Sequence, residues 1–353
     1  MIQNRDRMYI NVVKGIAVVL MIWGHCIQYC SKGSFDIFDN TVFRFIYSFH
    51  MPLFMLVSGY LFSFSSQKRD LKTLLIHRTQ GLLQPIVFCS MLYIFFVQLA
   101  MLVINGWFHI FDGSLLSELF VLWFLWCVLS SSIAVALADK LAPNSWIRVL
   151  FLVLGVFLVS LFPENEYHLY MYPYFVAGFY FAKYRARIPK WITRCAFASL
   201  FVFPAMIPFY EMKHFIYITP VFTPEIERKM LLEINLFRWA IGFAGSLFVL
   251  TLTRLVFHFC EGSKAVSGLL RGLSRLGENS LAIYCLSVPL LSFYLSLVYD
   301  KFLQYAGRNI FAENILVYNY AFTPVLTVLY CFGLYFVVFM MKKLKIHKFF
   351  FGR

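Results

Sequence analysis

Residues 9–30 read Tyr9-Ile10-Asn11-Val12-Val13-Lys14-Gly15-Ile16-Ala17-Val18-Val19-Leu20-Met21-Ile22-Trp23-Gly24-His25-Cys26-Ile27-Gln28-Tyr29-Cys30, with Lys14 and His25 as the ionisable interruptions of an apolar run. At about 1.5 Å per helical residue the run is long enough to cross roughly 30 Å of hydrocarbon. It exceeds a signal-peptide core, and no small-residue cleavage site follows, so it reads as a retained first helix.

Outward from this stretch, the chain repeats the pattern. Further apolar runs occupy approximately 42–64, 81–104, 115–138, 147–162, 168–184, 195–210, 235–259, 280–299 and 319–341, the fifth to seventh of the set being short for a full span. The expected fold is all-α, a polytopic transmembrane bundle of about ten helices. It is expected to form a single domain over residues 1–353 without a soluble appendage. Composition agrees: 61% of the 353 residues are hydrophobic, 14% are charged and 42 are Phe, too little polar surface for a water-soluble globule. The lipid bilayer is therefore the first partner.

The formal net charge of +14 would suggest nucleic acid in a soluble chain. Here topology signals and anionic headgroups explain it, and no basic-aromatic module or zinc spacing supports a nucleic-acid partner. The eight cysteines, Cys26, Cys30, Cys89, Cys127, Cys195, Cys260, Cys285 and Cys331, sit in or beside apolar runs without a CxxC pair. They read as small buried hydrophobes rather than disulfides or metal ligands.

Basic residues set the orientation. One set of loops and ends, including Arg5, Arg7, Lys68, Arg69, Lys72, Arg78, the 183–194 cluster and the C-terminal lysines, holds 22 Lys and Arg. The alternate set, Lys32, Lys213, Arg228, Lys229, Lys301 and Arg308, holds 6. An even helix number with both termini cytoplasmic follows. Of the alternate loops, 211–234 carries Pro220, Pro224 and the cluster Glu225, Glu227, Arg228, Lys229; a solvated loop is the favoured reading over a lid.

Ionisable side chains inside spans are costly and mark candidate sites. Lys14 and His25 are eleven residues apart, which on a helix returns to within about 20° of the same azimuth with an axial offset of about 16 Å. Alone, Lys14 is equally a snorkelling anchor and His25 an interhelical hydrogen-bonding group. The second helix adds Arg44-Phe45-Ile46-Tyr47-Ser48-Phe49-His50-Met51-Pro52-Leu53-Phe54 and Ser58-Gly59-Tyr60. It runs antiparallel to the first, so His50 lies at a depth His25 can share. Pro52 frees a backbone carbonyl nearby, and Gly59 permits a close helix approach. Two imidazoles at one depth suit proton transfer to and from a hydroxyl; without a third His, Cys or carboxylate, metal binding is not expected.

These residues resemble the acyltransferase-3 family of integral-membrane O-acyltransferases, in the bacterial polysaccharide or O-antigen O-acetyltransferase form. That family shows a basic residue, ten residues and then His on its first helix, and an FHMPLFF…SGY run on its second. Arg78-Thr79-Gln80-Gly81-Leu82-Leu83-Gln84-Pro85 is similar to its RxxRLLxP segment, Leu122-Trp123-Phe124-Leu125 to its LWFL, and Leu276-Gly277-Glu278-Asn279-Ser280-Leu281-Ala282-Ile283-Tyr284 to its LGxxSLxIY. The chain departs from the pattern in four places. Lys14 replaces the commoner Arg, Asn11 an Asp and Gly81 the second Arg, while Ser287 stands where a His commonly follows. The chain closes soon after the tenth run, so the SGNH-type hydrolase module of some members is not expected.

The resemblance implies transfer of an acyl group, usually acetyl from acetyl-CoA, to a hydroxyl of an envelope glycan or glycolipid such as O-antigen or capsule. It also implies residence in the bacterial inner (cytoplasmic) membrane. On this reading acetyl-CoA is the co-substrate and no metal takes part. His25 is the general base, and His50 orients it or polarises the thioester carbonyl, a covalent acyl-histidine being less favoured. Lys14 and Arg78 hold the anionic donor, and Arg44 or Arg238 contacts an acidic acceptor. Trp123 and Trp126 read as lipid-facing or interfacial packing rather than sugar-stacking platforms, and Glu118 as a plain interfacial carboxylate. The competing class is a transporter or flippase for a lipid-linked glycan, which the composition suits equally; a catalytically idle assembly partner is a weaker third.

Overall fold

The computed structural model describes residues 4–31, 34–105, 120–187, 190–259, 263–290 and 313–351; Lys32, Glu118, Lys301 and Arg308 lie outside them. Regular structure among the described residues is helical throughout. In chain order the helices are α1 (Asn4–Ser31), α2 (Thr41–Tyr47), α3 (His50–Ser66), α4 (Leu71–Asn105), α5 (Trp123–Leu141) and α6 (Ser145–Ser160). They continue with α7 (Asn165–Tyr184), α8 (Lys190–Met206), α9 (Arg228–Phe259), α10 (Lys264–Glu278), α11 (Ser280–Leu290), α12 (Thr323–Lys343) and α13 (His347–Phe351). Among the described residues, six stretches are long and apolar enough to cross a membrane: Arg5–Ser31, Thr41–Ser66, Leu71–Leu99, Trp123–Leu141, Arg228–Phe259 and Ile315–Lys343. Each of the ten expected runs coincides with a helix in its described part. The protein is a helical membrane bundle.

The second span is broken where its sequence says it must bend. Phe49 leaves helical geometry (φ −146°, ψ −15°) between α2 and α3, and Pro52 sits in the first turn of α3, where the missing N–H removes no helical bond. α3 forms the centre of the bundle. A Cβ on Gly59 would lie 2.1 Å from the Phe175 carbonyl oxygen, and one on Gly178 2.0 Å from that of Leu56, so α3 and α7 meet backbone to backbone, as small residues allow between membrane helices. α1 is held from two other sides: the Tyr9 hydroxyl donates to the Leu250 carbonyl on α9 (2.7 Å) and Trp23 Nε1 to Thr323 Oγ1 on α12 (2.9 Å). Large apolar side chains left exposed on the periphery, such as Phe95, Phe157, Phe332 and Phe336, suit a lipid surround.

Two elements differ from the sequence reading. α4 starts at Leu71, ten residues before the apolar run, because the Asp70 carboxylate accepts from the Thr73 N–H (3.1 Å) and caps it. Arg78, expected in a loop, therefore projects from a helix. α10 was not expected as a helix at all. Its Ser263 cap accepts from the Val266 N–H, and it buries Leu270, Ser274 and Gly277 while exposing Lys264, Arg271 and Arg275. Such a surface helix, apolar along one stripe and charged around the rest, carries too many polar residues to register as a span. Asn11 Nδ2 donates to Glu278 Oε1 (3.3 Å), tying it to α1.

Candidate active site

Four helices, α1, α3, α5 and α11, together line two cavities at different depths. The first, of about 320 Å³, takes Met21, His25, Gln28 and Tyr29 from α1 and His50, Met51 and Pro52 from α3. The second, of about 560 Å³, takes Lys14 from α1 and Phe54 to Ser65 from α3, with Arg69, His77, Arg78 and Gly81. The eleven-residue spacing thus puts Lys14 and His25 in separate chambers on one side of one helix.

The histidine chamber is built around Tyr47. His50, at the start of α3, has its Nδ1 2.8 Å from the Ile46 carbonyl. A carbonyl only accepts, so Nδ1 carries the proton and Nε2 keeps its lone pair. The Tyr47 hydroxyl donates to Gln28 Oε1 (3.0 Å), and its oxygen lies 3.4 Å from His25 Nδ1. With the phenolic proton committed to Gln28, His25 Nδ1–H is the donor in that contact, and Nε2 of His25 is again the basic nitrogen. Tyr47 also sets its ring edge-on to His50 at 4.9 Å. It fits there because residue 24 is glycine: a Cβ on Gly24 would stand 2.6 Å from Tyr47 Cε2. The sequence reading has His50 orient His25 or polarise the thioester carbonyl; the polar side chains beside His25 in the structure are Tyr47 and Gln28. Neither Tyr47 nor Gln28 was singled out, since an uncharged polar residue near the end of a span carries no distinctive signal.

Aromatic rings make up most of the remaining lining: Tyr29, Trp123, Tyr167, Tyr170, Tyr210, Phe215, Tyr217 and Tyr284. Trp123 was expected to face lipid or an interface, but it lies in the chamber wall with its ring stacked on Tyr167 at 4.6 Å. Trp126 packs against Phe120 and Phe162. Among the described residues, no Asp, Glu, Lys or Arg lines this chamber.

The basic chamber is its electrostatic opposite. Lys14, Arg69 and Arg78 line it with His77, and no carboxylate does among the described residues. Arg78 Nε donates to Ser132 Oγ (3.0 Å), and its guanidinium lies 5.2 Å from the Phe62 ring centroid, two contacts that orient the fork. Gly81, where the family pattern has a second Arg, lines the same chamber with nothing within 4 Å of where a Cβ would be. Arg69 and His77, not singled out from sequence, supply the further basic groups.

Arg44 and Arg238 line neither chamber. Arg44 pairs with Asp39 (2.6 Å) and donates to the Phe38 carbonyl. Arg238 is fully buried and donates to the carbonyls of His214 (3.0 Å) and Thr219 (2.7 Å) and to Asn235 Oδ1 (3.1 Å). It thereby pins the segment after α8. Asn235 Nδ2 donates to the Val221 carbonyl (2.9 Å), and Glu166 Oε2 accepts from the Val221 N–H (3.1 Å). The reading of 211–234 as a solvated loop is corrected here. Phe215, Ile216 and Tyr217 cover the histidine chamber, because Arg238 satisfies backbone groups that a free loop would give to water. Burial, with Lys213 beside it, pushes the His214 imidazole down to about 4. The neutral ring accepts from the Glu211 N–H at Nδ1 (2.9 Å). Among the described residues no three His, Cys, Asp or Glu side chains gather as metal ligands.

The chain is 33% identical over 189 residues to the nodulation protein NolL of Sinorhizobium fredii, covering 51% of this chain and 50% of that one. It is 31% identical over 186 residues to the nodulation protein NolL of Mesorhizobium japonicum, covering 51% and 48%. It thus spans about half the length of the relatives it matches. No solved structure matches it. The acyltransferase domain family, acyltransferase-3, matches residues 7–345, and with nearly the whole chain covered the protein belongs to that family.

Proposed function

We propose that this chain is a membrane O-acyltransferase that moves an acetyl group from acetyl-CoA to a hydroxyl of a cell-envelope glycan, with His25 as the general base. The observation that carries the reading is the pair of chambers on shared helices, one cationic and one aromatic with two histidines. An anionic nucleotide thioester suits the first: Lys14, Arg69 and Arg78 offer charge, and the space at Gly81 admits bulk. A sugar suits the second, where Trp123 and the tyrosines offer flat apolar faces and hydroxyl partners. Among the described residues no formally charged side chain lines that chamber, which favours an uncharged acceptor ring; Arg44 and Arg238 then serve by holding the segments around it.

The chemistry follows from the tautomers. His25 Nε2 takes the proton of the acceptor hydroxyl as the oxygen attacks the thioester carbonyl carbon. The resulting Nδ1–H imidazolium is supported by Tyr47 and, through it, Gln28. Collapse breaks the carbon–sulfur bond, and the proton passes from Nε2 to the departing thiolate. His50, with Nδ1–H held by Ile46, offers its Nε2 as a second acceptor that orients the attacking hydroxyl. The excess of basic residues at the Lys14 end supports a cytoplasmic location for that chamber in a bacterial inner membrane.

The test is transfer of radiolabelled acetyl from acetyl-CoA in vesicles from a glycan-bearing host, comparing the unmodified protein with His25→Ala at matched expression. General-base loss removes about 10²–10⁴-fold of rate, so base-labile label in the glycan fraction is expected to vanish in the variant. Equal labelling by folded His25→Ala would overturn the role of His25. Failure of label across several donors and acceptors, with glycan export dependent on the chain, would favour the transporter reading.

A further inference from the structure

Among the described residues, the two chambers share one lining residue, Tyr284. It stands on α11 in a stripe at helical spacing: Ser280 and Leu281 face the basic chamber, Val288 the histidine chamber, and Tyr284 borders both. Its ring meets Phe124 edge-on at 5.7 Å, and Phe124 lies 5.9 Å from Phe54. These three rings, from α11, α5 and α3, form the septum between the chambers. Phe54 and Phe124 border the basic chamber alone. Tyr284 therefore borders empty space on both sides, and its hydroxyl, hydrogen-bonded to the Phe124 backbone, holds the ring in the septum; side-chain rotation is the small motion that would clear it.

We propose that Tyr284 is the gate between the two chambers, a seal in the resting protein and the ring that a donor's slender thioester arm must push aside to reach the histidines. A pathway through a membrane protein needs such a seal, and an aromatic constriction supplies it by excluding water. The seal stands on geometry alone; only its use by a thioester rests on the acyl-transfer reading. It makes Tyr284 a specificity-determining residue, since the opening its rotation leaves sets the girth of the group that passes.

The test needs no acyl transfer. Reporter cysteines are placed on either side of the septum, Ser280→Cys and Val288→Cys. Sealed right-side-out and inverted vesicles carrying the full chain are treated with an anionic, membrane-impermeant methanethiosulfonate. Each protein is compared with its parent lacking the reporter, which accounts for the native cysteines. With Tyr284 present, each reporter is expected to react from one face, and the two from opposite faces. In Tyr284→Ala the one-face pattern is lost and both reporters react from both faces. Unchanged labelling from each reporter's own face shows that the chambers remain intact; Tyr284→Leu and Phe124→Ala provide milder openings should the alanine variant not assemble. Labelling of either reporter from both faces with Tyr284 in place would overturn the proposal, as would a one-face pattern that survives in all three variants. Because no donor is used, loss of acyl transfer elsewhere and loss of the gate are separable results.

Discussion

A neutral imidazole is a base at one nitrogen only while the other holds the proton, so whatever binds the far nitrogen decides what the ring can do. His50 is fixed by a backbone carbonyl, which no side-chain substitution removes. His25 is fixed by Tyr47, which a substitution does. Tyr47→Phe keeps the ring packing and deletes the accepting oxygen. A hydrogen bond of this kind is worth about 1 kcal/mol net, so acyl-transfer kcat is expected to fall about fivefold, with the acceptor KM unchanged. A raised KM at constant kcat would assign Tyr47 to acceptor binding instead. Arg238 makes the opposite case, a charge whose work is structural. Arg238→Gln leaves the His214 and Thr219 carbonyls short of donors, and each buried acceptor left unsatisfied costs about 1–3 kcal/mol. A lowered melting temperature with faster proteolysis in 211–227 is expected. Lys14 and His25 were legible in the sequence because charge inside an apolar run stands out. Tyr47 and Arg69 were not, one being an ordinary residue of spans and the other one cation among many near a span end.

At the scale of elements, the cover over the histidine chamber carries its own acid sensitivity. His214 holds the Glu211 N–H only while neutral, and its burial beside Lys213 keeps the folded imidazole near 4 against an ordinary 6.5. The unfolded segment therefore binds more protons between those values. The stability from this group is fully present above about 6.5 and is lost as pH falls towards 4. Glu211, Lys213 and Arg238 are the charged groups about it. Amide hydrogen exchange over 211–221 is expected to quicken across that window, and less so in His214→Gln, which keeps an acceptor without a titration. Exchange indifferent to pH, beyond its intrinsic chemical dependence, would contradict the assignment. The cover and α10 were the elements the sequence hid. Apolar-run counting finds helices that lipid surrounds, and it passes over a segment held by one buried arginine and a helix with a single apolar stripe. The apolar helices themselves were readable because hydrocarbon admits few alternatives to a helix.

Across the whole molecule, the charge asymmetry read from the sequence has a counterpart inside the bundle, a cationic chamber and an aromatic, histidine-lined one that both border Tyr284. Donor affinity should follow the first. Arg78→Gln is expected to raise the acetyl-CoA KM about tenfold, the loss of one charge-assisted contact. The KM should climb with salt less steeply in that variant than in the unmodified protein, whereas an unchanged KM would remove Arg78 from the donor site. The central claim is that the donor enters at one face and the acceptor is modified at the other. It is tested most directly by sidedness: labelled acetyl-CoA is sealed inside right-side-out vesicles, or supplied only outside, with the glycan acceptor on the outer face. Label in the glycan with the donor inside, and its absence with the donor outside, is the expected result. Equal labelling from external donor would contradict passage between the chambers and place both substrates in a single one.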